Sequence, residues 1–311
     1  MADLTLRTSI GNYGHTTPLK DGTLTSDRFD MEHVEITPVP MIFRRMVRNL
    51  EFDVAEMALA TYLCARAHGK KFTGIPIFLT RDFYHGALVY NRRSGIEAPK
   101  DLEGRKVGVR SYTFTPGVWT RGILSSEYGV DLDAVTWVLS GDEHVEEYVA
   151  PSNVVSSPSD DLGEMLLSGE IDAAIAPGPV DSPDIQPLIP DAREAADGWY
   201  RKTGLYPISH LLVAKDATLE ANEGLATELF DMFNEAKTEY VCKLMSGDAT
   251  EAWDQSVLKM AETVGDDPIP YGYESSRKTL ETFIGFNMEQ GVIPAAVAPA
   301  DLFVPETLTL S

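Results

Sequence analysis

Three histidines of this 311-residue chain, His15, His85 and His210, lie in short segments that also carry glycine, tyrosine or arginine. A histidine titrates near neutrality and can both give and take a proton, so His15 and His85 are read as acid–base groups. Each has a plainer alternative, a structural hydrogen bond. His33, His68 and His144 read as surface residues. Glu56 can orient a histidine or hold a hydroxyl; its alternative is a partner for a helix dipole. The segment Tyr112 to Gly117 runs from a strand pattern into a helix start, where free backbone N–H groups suit a carboxylate. One such charge–dipole contact is worth about 0.3–1 kcal/mol when exposed and ~2 kcal/mol when partly buried. A charged partner is therefore needed as well, and an arginine can bind a carboxylate through two parallel hydrogen bonds. Tyr13 and Tyr112 can stack on a ring. Trp119, in helical register with Ile123, reads as core.

Other chemistries lack their residues. There is no His-x-His, no His-Glu-x-x-His and no acidic cluster at ligand spacing, so no metal site is expected. No Gly-Lys-Ser/Thr phosphate loop and no Gly-x-Ser-x-Gly elbow occur. Gly11-Asn12-Tyr13-Gly14 reads as a turn. Cys64 and Cys242 are far apart in helical patterns, and both read as small core residues in a reducing compartment. The formal charge of −22 argues against nucleic acid and anionic membranes as partners. Against that background Arg44, Arg45, Arg48, Arg66, Lys70, Lys71, Arg81, Arg92 and Arg93 crowd one stretch, which fits an anionic ligand. No apolar run approaches the ~20 residues of a membrane helix. No basic segment followed by an apolar stretch opens the chain, so a cytoplasmic location is expected.

The elements that must position these residues form an α/β pattern. Leu4 to Ile10 and Val34 to Thr37 read as strands. Pro38 and Pro40 open a helix with Phe43, Met46, Val47 and Leu50 on one face. A second helix is expected from Asp53, with Val54, Met57, Ala58 and Tyr62 inward and Glu56 one turn in. Phe72 to Phe78 and Gly86 to Tyr90 read as buried strands. Then Lys106 to Val109, a helix from Thr115, Val135 to Leu139, a polar loop over residues 141–160, a helix from Asp161 and a strand ending at Ile175 make a βαβ run. Tyr206 to Val213 is a strand, and three helical patterns close the chain around Leu225–Tyr240, Ala252–Val264 and Leu280–Ile284.

Leu102-Glu103-Gly104-Arg105-Lys106-Val107-Gly108-Val109 and Gly169-Glu170-Ile171-Asp172-Ala173-Ala174-Ile175 resemble phrases of the type II periplasmic binding protein fold. Finer motifs, in order, are Phe52 to Met57, Gly117-Val118-Trp119-Thr120-Arg121-Gly122-Ile123-Leu124, Glu127 to Val130, Gly204 to His210, Pro270-Tyr271-Gly272 and Leu302 to Leu308. Together, over nearly the whole chain, they resemble the 4,5-dihydroxyphthalate decarboxylase family, a cytoplasmic branch of that fold. The chain departs from the family pattern at Tyr84, Gly86, Arg110 to Thr115 and near Gly178, all in segments expected at the ligand. A related acid is therefore an alternative to 4,5-dihydroxyphthalate itself.

The resemblance implies two α/β lobes with a ligand cleft between them: lobe 1 from residues 1–92 and the helical 207–311, lobe 2 from 93–206. It implies decarboxylation of a hydroxylated aromatic acid without metal or cofactor. His15, His85 and Glu56 are then the catalytic candidates, and Arg81, Tyr112, Thr113, Thr115, Tyr13 and His210 the substrate-binding ones. Arg81 is chosen as the carboxylate clamp on its position in the family pattern. The partner is a small aromatic carboxylate, and self-association stays open. Two alternatives are a solute receptor for an aromatic or pyrimidine-like ligand and another enzyme of the fold, such as the dehydratase of alternative menaquinone synthesis. That dehydratase group lacks the Trp-x-Arg-Gly helix seen here.

Overall fold

A computed structural model of the chain describes residues 4–248 and 251–311. The strands are β1 (Leu4–Ser9), β2 (Phe29–His33), β3 (Val54–Ala58), β4 (Phe72–Arg81), β5 (Leu88–Asn91), β6 (Lys106–Val109), β7 (Thr136–Leu139), β8 (Val154–Ser156), β9 (Ala173–Ile175), β10 (Ile185–Pro187) and β11 (Ile208–Lys215). The helices are α1 (Thr17–Lys20), α2 (Pro40–Asn49), α3 (Leu59–Ala67), α4 (Thr115–Tyr128), α5 (Leu162–Ser168), α6 (Ala192–Thr203), α7 (Asp216–Ala221), α8 (Leu225–Ser246), α9 (Ala252–Val264) and α10 (Tyr273–Glu289). No described helix is long and apolar enough to cross a membrane.

The chain divides into two compact units. The first holds residues 1–82, 208–281 and 297–311; the second holds 83–207 and 282–296. Residues 83–92 and 282–296, expected in the first lobe, fall in the second unit. The reason is pairing and packing. β5 hydrogen-bonds to β9 and β10, and Phe283 stacks on Trp119 of α4 at 4.6 Å.

In the first unit the sheet order is β2-β1-β3-β11-β4. β1, β2 and β3 run parallel, and β11 is antiparallel to β3 and β4. The second strand was expected at Val34 to Thr37. It forms instead at Phe29–His33, where Phe29 is buried opposite Leu4 and gives an edge strand its single buried face. The expected helix from Asp53 also forms differently. Val54–Ala58 is a strand buried along its whole length, and the helix begins only at Leu59. A short apolar run has no periodicity that separates a buried strand from a helix; here two neighbouring strands claim its backbone.

In the second unit the sheet order is β10-β5-β9-β6-β7-β8. Val138, Leu162, Met165, Leu166, Ile171 and Ala174 pack between this sheet and α5. Gly108 admits that packing: a β-carbon there would stand 2.5 Å from Ile171. Two smaller expectations also change. Cys64 is buried as expected, but Cys242 is exposed on α8. His144 is buried, with Nε2 3.0 Å from Nη2 of Arg110.

Candidate active site

Glu56 lies in the middle of β3 and is wholly buried. Leu212 of β11 is its cross-strand partner, and His210 is the partner of Ala58. Residues two apart on a strand share a face, so Glu56 and His210 form a diagonal pair on one side of the sheet. The His210 Nδ1 atom is 2.6 Å from Glu56 Oε1. The Tyr13 hydroxyl donates to the same oxygen at 2.7 Å, and the Gly11 N–H donates to Oε2 at 2.6 Å. Burial opposes ionisation of Glu56. The hydrogen bond and charge of His210, helped by Tyr13 and Gly11, outweigh it and hold the carboxyl below its ordinary value.

An ionised Glu56 fixes the proton of His210 on Nδ1 and leaves Nε2 for another partner. The His210 side chain keeps 22% of its surface exposed. The β11–β4 register shifts on both sides of His210. Such irregularities re-aim a side chain out of the pleat. Burial and the Glu56 charge push the Tyr13 hydroxyl far above its ordinary value, so it stays a donor.

The loop Gly11 to Thr16 that brings Tyr13 to Glu56 is more than a turn. A β-carbon on Gly11 would stand 2.6 Å from the Tyr13 ring, and one on Gly14 would stand 2.0 Å from the Tyr240 ring. Both glycines let aromatic rings lie directly on the backbone. His15 follows, wholly buried and stacked on Tyr13 at 5.5 Å, with Tyr240 and Tyr271 at 5.9 and 6.3 Å. Among the described residues neither ring nitrogen meets a well-aligned hydrogen-bond partner, although the Leu79 carbonyl lies near. Burial lowers its pKa to about 4 against an opposing pull from Glu56. His15 is therefore a neutral aromatic wall at neutral pH.

This gives a pH prediction. An unfolded His15 takes a proton near pH 6.5, the folded one only near pH 4, so the chain loses stability as the pH falls through that window. For a group this buried the loss amounts to about 3 kcal/mol by pH 4. Urea unfolding of wild type and His15→Gln at about pH 7 and about pH 4.5 checks it. The wild-type midpoint should drop with acid more than that of the variant; equal drops would exclude His15 as the cause.

Arg81, at the end of β4, donates through Nη2 to the Pro270 carbonyl at 3.0 Å and the Ser276 hydroxyl at 2.6 Å. Its guanidinium also lies over Phe78 at 5.0 Å. These contacts tie β4 to the first turn of α10 and to the segment before it.

The remaining candidates belong to the second unit. His85 is buried edge-on to Trp199 at 5.4 Å, and burial lowers its pKa to about 4 although Glu127 opposes. Tyr112 and Thr113 lie in the loop between β6 and α4, and Thr115 begins the helix; all three are buried. The Tyr112 and Thr113 N–H groups donate to the Glu143 carboxylate at 2.5 and 3.2 Å, and the Thr113 hydroxyl does so at 2.5 Å. Behind them Arg121 is wholly buried, 4.0 Å from the Tyr112 ring centroid. Burial holds its guanidinium below the ordinary arginine value.

The structure thus joins Tyr13, Glu56 and His210 in one hydrogen-bond network with His15 stacked beside it. It gives Arg81 backbone and hydroxyl partners, and it sets His85 against Trp199. The sequence reading missed Tyr240, Glu143 and Arg121. Tyr240 was visible only as the last apolar residue of a helix face. Arg121 was visible only inside a family motif, since a charged residue on an apolar helix carries no sign of its burial.

The sequence model of the ABC transporter phosphonate periplasmic substrate-binding proteins matches residues 27–258. A 4,5-dihydroxyphthalate decarboxylase of Comamonas testosteroni is 28% identical over 326 aligned positions, covering 99% of this chain and 98% of that protein. A 4,5-dihydroxyphthalate decarboxylase of Pseudomonas putida is 33% identical over 215 positions, 65% of this chain and 83% of its own. Among solved structures, the periplasmic aliphatic sulphonate binding protein SsuA of Escherichia coli superposes with a TM-score of 0.58 at 13% identity, over 99% of both chains. That likeness shows a periplasmic-binding-protein fold. With the fold matched end to end and the sequence likeness spanning both units, the chain belongs to the periplasmic phosphonate substrate-binding protein family, in its 4,5-dihydroxyphthalate decarboxylase branch.

Proposed function

We propose that this protein decarboxylates a hydroxylated aromatic acid, 4,5-dihydroxyphthalate or a related phenolic acid. The observation that carries the chemistry is the buried Glu56 carboxylate holding His210 through Nδ1 at 2.6 Å. Loss of carbon dioxide from such a ring needs a proton at the carbon that bears the carboxylate. His210, as imidazolium, delivers it from Nε2. The electrons of the ring–carboxylate bond return to the ring, carbon dioxide leaves, and solvent reprotonates the imidazole. Glu56 stabilises the imidazolium and keeps the ring oriented. Tyr13 braces Glu56, and His15 supplies an aromatic wall beside Tyr13. The steps draw on protein groups alone. Two free cysteines, one of them exposed, fit a reducing compartment such as the cytoplasm.

The test is product analysis. Purified protein, treated with chelator, is incubated with 4,5-dihydroxyphthalate and a panel of hydroxybenzoates, and products are read by mass spectrometry. Release of carbon dioxide with the matching phenol is expected. The second reading, a non-catalytic receptor, draws on the substrate-binding proteins that the matched family model describes. Binding of these acids with no turnover would establish it and end the decarboxylase proposal. His85→Ala and His15→Ala extend the test. At least one should slow turnover while keeping the fold, and normal rates in both would confine proton handling to His210.

A further inference from the structure

The loop between β6 and α4 builds an anion cradle, and the chain's own Glu143 sits in it. Three donors converge on that carboxylate: the N–H groups of Tyr112 and Thr113 and the Thr113 hydroxyl. α4 starts immediately after, with Phe114 at its N-cap making no side-chain cap hydrogen bond. A second observation points independently to an anion. Arg121 is fully buried, yet among the described residues no carboxylate is in salt-bridge contact with it, and Glu143 acts on it only through space. Its Nε donates to Gln290 at 2.8 Å and its Nη2 to the Tyr112 carbonyl at 2.6 Å. Its Nη1 has no hydrogen-bond partner among the described residues. Nη1 lies against the first turn of α4, 3.2 Å from where a β-carbon on Gly117 would stand. A buried cation without a counter-charge is costly. An anion held in front of it offsets that cost, and Glu143 is partly solvent-exposed.

We infer that Glu143 is an internal stand-in for a ligand carboxylate: it fills the Tyr112–Thr113 cradle in the empty protein, and the carboxylate of the bound acid displaces it, with Arg121 as the fixed positive charge behind. The inference rests on the reading of the ligand as an aromatic acid. It makes Glu143 a gate on affinity. A ligand that needs the cradle binds with a dissociation constant raised by the inverse of the fraction of molecules in which Glu143 has swung away. Neutral ring compounds, which do not need the cradle, do not meet that penalty.

Calorimetric titration of phthalate, benzoate and benzamide into the full chain tests this. Glu143→Ala should bind phthalate and benzoate about 10-fold more tightly than wild type, while benzamide changes by less than about 2-fold. Glu143→Gln, which keeps the side-chain length, should move in the same direction by a smaller factor. Adding Thr113→Val to Glu143→Ala should cancel several-fold of the gain, because the hydroxyl then no longer contacts the ligand. Phthalate binding unchanged or weakened in folded Glu143→Ala and Glu143→Gln would overturn the inference, and so would equal gains for benzoate and benzamide. The readout is binding. If carboxylates tighten and no acid is turned over, the decarboxylase reading falls and the gate stands. If turnover is found and affinity does not respond to Glu143, the gate falls alone.

Discussion

His210→Asn should lower kcat by about 10²–10⁴-fold and leave thermal stability close to wild type. The substitution is chosen for its geometry. The asparagine amide can place an N–H where Nδ1–H of His210 stands, so Glu56 keeps a donor at the 2.6 Å contact. What is lost is a group that can carry a proton at Nε2. His210→Ala removes the donor as well, and leaving a buried carboxylate short of a hydrogen bond costs a further 1–3 kcal/mol, roughly, in stability. Comparing the two variants therefore separates chemistry from folding. Glu56→Gln should lose a similar factor, since an amide cannot stabilise the imidazolium. The double variant should be no slower than the worse single one, because the pair acts as a unit. Steady-state rates with the acid found by product analysis are the measurement. A His210→Asn enzyme within threefold of wild type would place the proton donor elsewhere.

The largest stability effect is expected at Trp119, which is wholly buried in α4 of the second unit. Its ring stacks on Phe283 at 4.6 Å and meets Phe286 edge-on at 5.8 Å. One turn along, Gly122 lets Phe286 lie on the helix backbone, where a β-carbon would come within 2.2 Å of the ring. Gln290 completes the contact by donating to the Val118 carbonyl at 3.0 Å. Trp119→Ala should cost about 3–5 kcal/mol, the range for emptying a large aromatic site. Trp119→Phe, which keeps a stacked ring, should cost less. Urea unfolding followed by far-ultraviolet circular dichroism measures both. A loss below about 1 kcal/mol for the alanine variant would mean that the site collapses around the gap.

Much of the second unit was legible. Leu102 to Val109 and Gly169 to Ile175 carry their turn glycines beside their buried strands, and both strands formed. The Trp119-Ile123 spacing marked a packed helix face, as found. α6 went unseen because its face holds only Ala196 and Trp199 buried among charged residues, too sparse a stripe to stand out. His144 was read as surface and is buried; nothing in a polar loop tells which side chain the loop folds over.

The chemistry of the first unit divides along the same line. Residue types and the family motifs put Tyr13, His15, Glu56 and His210 on a short candidate roll, because composition limits which groups can move a proton. Their pairing depended on strand register, a long-range property that local patterns do not encode. Glu56, expected one turn into a helix, lies instead on a central strand, and that places it diagonal to His210 across 154 residues of chain. The same β11–β3 pairing brings His210 to Glu56, and the loop after β1 adds the Tyr13 and Gly11 donors that help keep it charged. Chain order supplied the candidate groups; folding decided which of them meet, since a histidine's proton is governed by its neighbours in space.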